Sequence, residues 1–389
     1  MPTINRISEF HDEAVIWRKK IHSEPETAFE ETKTAAFVAN KLREFGIQVH
    51  EGIAKTGVVG VLTGRSTLSG KSIALRADMD ALPIQEIGNH PYKSQVPGKM
   101  HACGHDGHTT MLLTAARYLA ETRNFDGTIY FFFQPAEEQG GGANVMIQEG
   151  LFDRFPCDKV FGIHNIPGLE AGHIATRVGP IMAISDTVQI QIMGKGGHGA
   201  MPHETVDPIV IGSLIVNALQ TIASRSIDPV KSAVVTITQF HSGETNNAIP
   251  GSAFLEGTIR AYEDEVYQKL QSDITRIAQS IARANGATAK VTFPSCYPAT
   301  INTKSECELV IEAAKEVVPD KAIDADVKPL MGGEDFSYLL QQKPGAFIFL
   351  GNGVNSDNLH TEGYDFNDDI IPVGASFWAR LVEKALPAI

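Results

Sequence analysis

Three histidines, a cysteine and an aspartate crowd into nine residues, MHACGHDGH at positions 100–108. Cys103 and His105 stand one residue apart beside the flexible Gly104, so a thiolate and an imidazole can converge on one metal ion. Four other segments end an apolar run in metal-binding residue types: RADMD at 76–80, FFFQPAEE at 131–138, FGIHN at 161–165 and the loop NLHTE at 358–362. A lone histidine such as His164 is usually a hydrogen-bonded core residue, but open α/β sheets bind ligands at the carboxyl ends of their strands. Strand-end placement makes Glu138 and His164 candidates beside Cys103 and His105. Together the segments offer five or six ligands around one crevice.

Adjacent side chains on an extended loop point in different directions, so one of Glu137 and Glu138 can ligate while the other stays free. A free carboxylate beside a metal-activated water is a natural general base, contributing about 10² to 10⁴ in rate and later carrying the proton to a leaving amine. Asp78 and Asp80 can be ligands, or can accept a hydrogen bond from a ligand imidazole and orient it; Asp80 suits the second role. His101 and His108 read as residues that cap or pack around their loop, and His22 with the other scattered histidines as surface or structural. Cys103 also admits a nucleophilic reading, since a thiolate near a histidine attacks carbonyls. A metal-held thiolate better accounts for the company of Glu138, His164 and His360.

These residues need a scaffold. The runs IALRA, TIYFFF and KVFGI are almost continuously apolar, as strands buried on both faces are, and they alternate with helical patterns such as the one over 109–121. From about Asp186 the pattern becomes strand, helix, two strands, helix and strand; after Tyr297 the α/β pattern resumes, with a helix over 305–317 and the run GAFIFLG at 345–351. The expected fold is a larger α/β catalytic domain with a mixed sheet, residues 1–184 and 298–389, carrying an inserted α+β, ferredoxin-like domain at 185–297. At 389 residues the chain is long enough for two domains. Its net charge of −13 repels phosphate backbones and argues against nucleic acid as a partner. The N-terminus lacks the pattern of a signal peptide, and apolar stretches such as 209–219 fall short of the roughly 18 residues of a membrane span. Four cysteines make no disulfide framework. A soluble, cytoplasmic protein with no membrane association is the expectation.

Gly194-Lys-Gly-Gly-His-Gly199 satisfies the G-x-G-x-x-G pattern, but Pro202 and Pro208 intervene before any helix and no acidic residue follows at the distance a ribose needs. A better use of GKGGHGAMPH is to present His198 as a hydrogen-bond donor to an oxyanion, on glycines that allow close backbone approach to a substrate. Asn246, Asn247 and Arg260 can add polar contacts, Arg260 suiting a substrate carboxylate.

In order along the chain, WRKKIHSEPETAFEET, RADMDALP, MHACGHDGH, FFFQPAEE, GIHN, GKGGHGAMPH, TNNAIPG, GGEDFS and NLHTEGYDF resemble the hippurate hydrolase and N-acyl-amino-acid amidohydrolase branch of the aminoacylase and carboxypeptidase G superfamily, which includes auxin-conjugate hydrolases. The resemblance implies that Cys103, His105, Glu138, His164 and His360 hold two divalent ions (zinc or manganese, with nickel or cobalt as further options). It implies that Glu137 is the general base and Asp80 the orienting carboxylate. The inserted domain would be a lid that also makes a homodimer, with His198 as the lid histidine. Asp78 stands where more distant relatives place a ligand histidine. The implied reaction is hydrolysis of an N-acyl amino acid, with dipeptide cleavage as the alternative. His360 enters the ligand set only through the resemblance.

Overall fold

Ser72–Asp78, Thr128–Gln134, Lys159–Pro167 and Gly345–Gly353, the strands with fewest polar interruptions, are buried along most of their length. Strands covered on both faces read this way. In a computed structural model, which describes residues 3–388, these four run parallel at the centre of an eight-stranded sheet, in the order Thr128–Gln134, Ser72–Asp78, Lys159–Pro167, Gly345–Gly353. Gly57–Thr63 and Ile174–Ala175 pair antiparallel with the outer two, and Gln48–Ile53 and Ile323–Asp324 form the edges. The sheet is therefore mixed, as the sequence predicts, and its four central strands aim their carboxyl ends the same way. Phe131, Phe133 and Phe161 are wholly buried in the core, each worth about 1.5–3 kcal/mol relative to exposure.

Helices His105–Thr122 and Ile371–Ala385 pack on each other and on Ser72–Asp78, while Gly142–Gln148 and Phe336–Gln342 pack on each other and on neighbouring strands. The first of these begins at His105 rather than at Thr109. Two glycines disguise its start. Gly104 ends the preceding loop at φ +91°, and a Cβ on Gly107 would lie 2.2 Å from the ring of Phe366. His105 and His108 thus occupy one face of a first helical turn, with ring centroids 5.4 Å apart.

The chain divides into two units. One comprises the residues up to Ile181, Ile301–Lys328 and those from Asp335 on; the other comprises Met182–Thr300 and Pro329–Glu334. The sequence places the crossings at 184/185 and 297/298 and gives no sign that the short segment at 329–334 belongs with the second unit. That segment is held there by backbone: Ala183 donates its N–H to Gly332 O, and Met182 bridges Leu330.

Within the second unit, strands Ala233–His241, Ser252–Ala261, Ile184–Met193 and Thr288–Thr292 lie side by side, all antiparallel, with helices Pro208–Thr221 and Asp264–Ala284 packed on them. Strict alternation of burial along Ile184–Met193 and Ser252–Ala261 shows one face covered and one not. The succession β-α-β-β-α-β is ferredoxin-like. Helix Pro208–Thr221 continues through Ser226, and over that length it is apolar enough to cross a membrane by composition alone. Counting unbroken apolar runs misses this because Ser213, Asn217 and Gln220 interrupt the sequence. The helix buries Ile211, Ile215 and Leu219 in the core of its own unit.

Candidate metal centre

Asp80, just beyond the end of strand Ser72–Asp78, organises the site. Its two carboxylate oxygens accept the backbone N–H groups of Glu137 and Glu138, both at 3.0 Å. The same carboxylate lies 3.3 Å from His105 Nδ1. One buried anion thus fixes the turn after strand Thr128–Gln134 and faces one side of the His105 ring, leaving Nε2 directed toward Asp78 and Glu138, at 3.7 and 3.9 Å. The turn itself needs Ala136 at φ +55°, a conformation costly for a residue with a Cβ; Glu31 Oε1 accepts the Ala136 N–H at 3.0 Å and holds it there.

The other candidates converge on this point. His164, inside strand Lys159–Pro167, donates Nδ1–H to Asn165 O at 2.6 Å, so its Nε2 presents a lone pair, 3.3 Å from Cys103 Sγ. His360 sits at φ +63°, and its backbone N–H bonds Ala102 O at 2.8 Å. That tie brings a residue from a distant loop to the Cys103 segment, with His360 Nε2 3.2 Å from Glu138 Oε1. Overlapping sets result, among them Cys103, His105 and His164; Cys103, Glu138 and His360; and His105, Glu137 and Glu138, each with its donor atoms within 4.8 Å of one another, and Asp78, His105 and His108 form a further one. Cys103, His105 and Glu138 each recur, which joins the sets into one cluster.

The electrostatics call for positive charge. Burial, with Glu138, Glu137 and Asp78 close by, pushes the Cys103 thiol well above its usual range. Burial also opposes ionisation of Glu138, yet His360 and His105 outweigh it and hold the carboxyl below its ordinary value. Among the described residues both ring nitrogens of His105 are buried without a well-formed hydrogen bond, and buried polar atoms left in that condition demand an explanation. Thiolate, imidazole and carboxylate donors facing one another at these distances fit divalent cations.

Asp78 is engaged elsewhere. Its Oδ2 accepts from Arg76 Nη1 and its Oδ1 from His108 Nδ1, both at 2.6 Å. Arg76 in turn reaches Asp335 at 3.0 Å, which also accepts from Gln134 Nε2 and Ala143 N. This makes Asp78 an anchor of the strand ends and gives His108 a bridging job in the network.

In the second unit, Gly197–His198 pairs with Ala248–Ile249. The Ala200 N–H donates to His198 Nδ1 at 3.0 Å, so a neutral ring carries its proton on exposed Nε2, the donor that an oxyanion requires. Asn247 shares this hairpin, its carbonyl accepting from Gly199 N at 2.8 Å. The glycines of the loop are tight against their own backbone: a Cβ on Gly194 would lie 2.2 Å from Val206 O, and one on Gly199 3.0 Å from Asn247 O. Arg260 stands apart from the hairpin and spends Nε on Met331 O at 3.2 Å and Nη1 on Ile259 O at 2.9 Å and on Thr258. Those atoms are committed to its own unit.

Residues 74–384 match the peptidase family M20/M25/M40. The chain is 44% identical to the hippurate hydrolase of Campylobacter jejuni over 386 residues, covering 99% of this chain and 100% of that one. The chain belongs to peptidase family M20/M25/M40. It is 41% identical to a thermostable carboxypeptidase of Saccharolobus solfataricus, over 98% of this chain and 97% of that protein. A dinuclear metal-binding M20 peptidase from Bacillus subtilis superposes with a TM-score of 0.83 at 33% identity, over 98% of this chain and 100% of that one. As a family member the chain is a metal-dependent hydrolase acting on amides.

One part of this M20 scaffold is not apparent from motif spacing. Arg18 and His22 are fully buried, so of the two readings of that histidine, surface or structural, the second holds. Helix His11–Ser23 buries Ala14, Trp17, Arg18, Ile21 and His22, the spacing of one helical face. Two polar residues on an otherwise apolar stripe were the available signal.

Proposed function

We propose that the protein is a binuclear amidohydrolase that cleaves N-acyl amino acids, with Cys103, His105, Glu138, His164 and His360 as ligands and Glu137 as general base. The observation that carries this reading is the convergence of those donors into overlapping sets linked through Cys103, His105 and Glu138. Two divalent ions held there would polarise the scissile carbonyl and lower the pKa of a water molecule. Glu137, buried beside the cluster, is placed to act as the base that would take a proton from such a water and return it to the leaving nitrogen. Asp80 keeps both glutamate backbones and the His105 ring in place. His198 Nε2–H supplies a donor for the developing oxyanion, and Asn247 and Arg260 contribute polar contacts, Arg260 through Nη2, the one guanidinium nitrogen not committed to those partners.

The relatives support a substrate class. A hippurate hydrolase and a carboxypeptidase both cut an amide bond next to a free carboxylate. We infer the same requirement here, with N-acyl amino acids favoured by the greater identity to the former and short peptides as the second reading. Zinc or manganese suits the mixed thiolate, imidazole and carboxylate set, and nickel or cobalt would be accommodated. A reducing cytoplasm suits four unpaired cysteines, above all Cys103. The second unit serves as lid and as dimer contact.

Chelation followed by dialysis should abolish turnover of hippurate and N-acetyl amino acids, and add-back of zinc or manganese should restore it. Full activity in protein shown by metal analysis to be stripped would overturn the reading and favour Cys103 as nucleophile.

A further inference from the structure

The loops that carry Cys103, His105 and His360 meet at a second buried polar cluster, which the reaction does not touch. At its centre His22 places Nδ1 2.8 Å from Asp106 Oδ2 and Nε2 3.4 Å from Glu86 Oε1. Asp106 follows His105 in the first turn of its helix; its Oδ1 accepts the Gly107 N–H at 3.0 Å, and Arg18 Nη1 lies 3.5 Å from Oδ2. Glu86 accepts the Ser94 N–H at 2.7 Å and pairs with His90 Nε2 at 2.7 Å. The segment around Glu86 in turn holds the loop of His360. Ile87 donates its N–H to Glu362 O at 3.0 Å, and Tyr92 donates its hydroxyl to Asp365 Oδ2 at 2.5 Å. Arg18 reaches the same stretch at Asp365 and Asp368, at 3.0 and 2.8 Å.

His22 is thus the link between two ligand-bearing loops that are far apart in sequence. We propose that His22 is a positioning residue for the metal centre: donating from both ring nitrogens, it locks Asp106, and with it the Cys103–His105 turn, to the segment 86–94 that holds the His360 loop. The ring touches no ligand, so its influence runs through these two carboxylates. Burial opposes a charge on the ring, but Asp106 and Glu86 prevail and raise His22 to about 9, which supplies the second donor. His22, His90 and Asp365 bring donor atoms within 4.8 Å of one another and so could themselves be taken for a cation site. A ring that donates from both nitrogens has no lone pair left for an ion.

The inference rests on the proposed metal centre, and metal binding tests the two separately. Stripped wild-type protein and the variants His22→Leu, His22→Gln and Glu86→Gln would be titrated with Zn²⁺ against a chromophoric chelator. Hippurate turnover at saturating metal and circular dichroism would be recorded in parallel. His22→Leu should bind Zn²⁺ about 3- to 10-fold more weakly, less than the roughly 10- to 100-fold lost when a group bonded directly to a ligand is removed, because His22 acts one bond further out. Its kcat should fall while KM stays within about twofold, because the substrate contacts are intact. His22→Gln, which keeps a side-chain donor, should recover part of the affinity. Wild-type Zn²⁺ affinity in a folded His22→Leu would overturn the proposal, as would a third ion per subunit that is lost with His22. Should His22→Leu not fold, Glu86→Gln decides: weakened Zn²⁺ binding supports the link and wild-type affinity overturns it. Wild-type protein that binds no Zn²⁺ or other divalent ion would instead overturn the metal centre itself.

Discussion

Two neighbouring glutamates acquire different tasks because one aspartate holds both of their backbones. With the N–H groups of Glu137 and Glu138 bonded to the two oxygens of Asp80, the side chains keep different company: Glu138 lies 3.2 Å from His360 and Glu137 is buried beside the cluster. Glu137→Gln tests the division of labour. Glutamine has the same shape but no basic oxygen, so kcat should fall by about 10² to 10⁴, while metal content and the position of His105 are retained. Steady-state kinetics with metal analysis on the same sample would show it; turnover within about tenfold of wild type would remove Glu137 from the role. At this scale the sequence was legible for Cys103 and His105 through local spacing and for Glu138 through a strand end; His164 was picked by the same rule, but its strand runs on to Pro167. His360 was not, because its placement depends on a backbone bond to Ala102 and a positive φ, neither of which spacing encodes.

The elements that deliver these residues were legible in proportion to how fully they are buried. Continuous apolar runs announced the four central strands, whereas Ile174–Ala175 and Ile323–Asp324 are two residues each, too short for any period. The helix carrying His105 shows the opposite failure, since its glycines imitate a loop. Gly104 is required there for a reason that can be measured. At φ +91° a Cβ would meet Asn165 Oδ1 at 2.2 Å and Tyr364 OH at 2.7 Å, and those two side chains are buried and bonded to each other. Gly104→Ala must therefore strain the backbone, displace that pair, or both. A loss of about 2–5 kcal/mol in urea denaturation is expected from left-handed strain together with a broken buried hydrogen bond. Weaker metal retention should accompany it, because Cys103 and His105 flank the position. A loss under about 1 kcal/mol would mean that the turn relaxes freely and does not preorganise the ligands.

For the whole molecule, the second unit poses a question that its own packing leaves open. Among the described residues strand Ala233–His241 pairs on one side only, and an open edge presents unpaired backbone groups that natural proteins cover or disrupt. Beside it, helix Pro208–Thr221 buries one face and exposes Ile209, Val210 and Leu214 on the other, with Phe240 also exposed on the edge strand. Apolar side chains in that number on a unit with an intact core are what the proposed dimer contact would cover. A second copy of the chain, meeting edge to edge and helix to helix about a twofold axis, would satisfy both features with the same residues on each side. Val210→Asp probes this without touching the core, because Val210 is 55% exposed. Light scattering after gel filtration should give the mass of two chains for the wild type and of one for the variant, with circular dichroism unchanged. A dimeric Val210→Asp would move the interface elsewhere, and a monomeric wild type at micromolar concentration would dispose of it. Kinetics on the monomer then bear on His198. If the neighbouring subunit must supply that imidazole, kcat should drop by about 10²-fold, the scale of losing one oxyanion donor, and mixing Val210→Asp with metal-free wild type should not restore it.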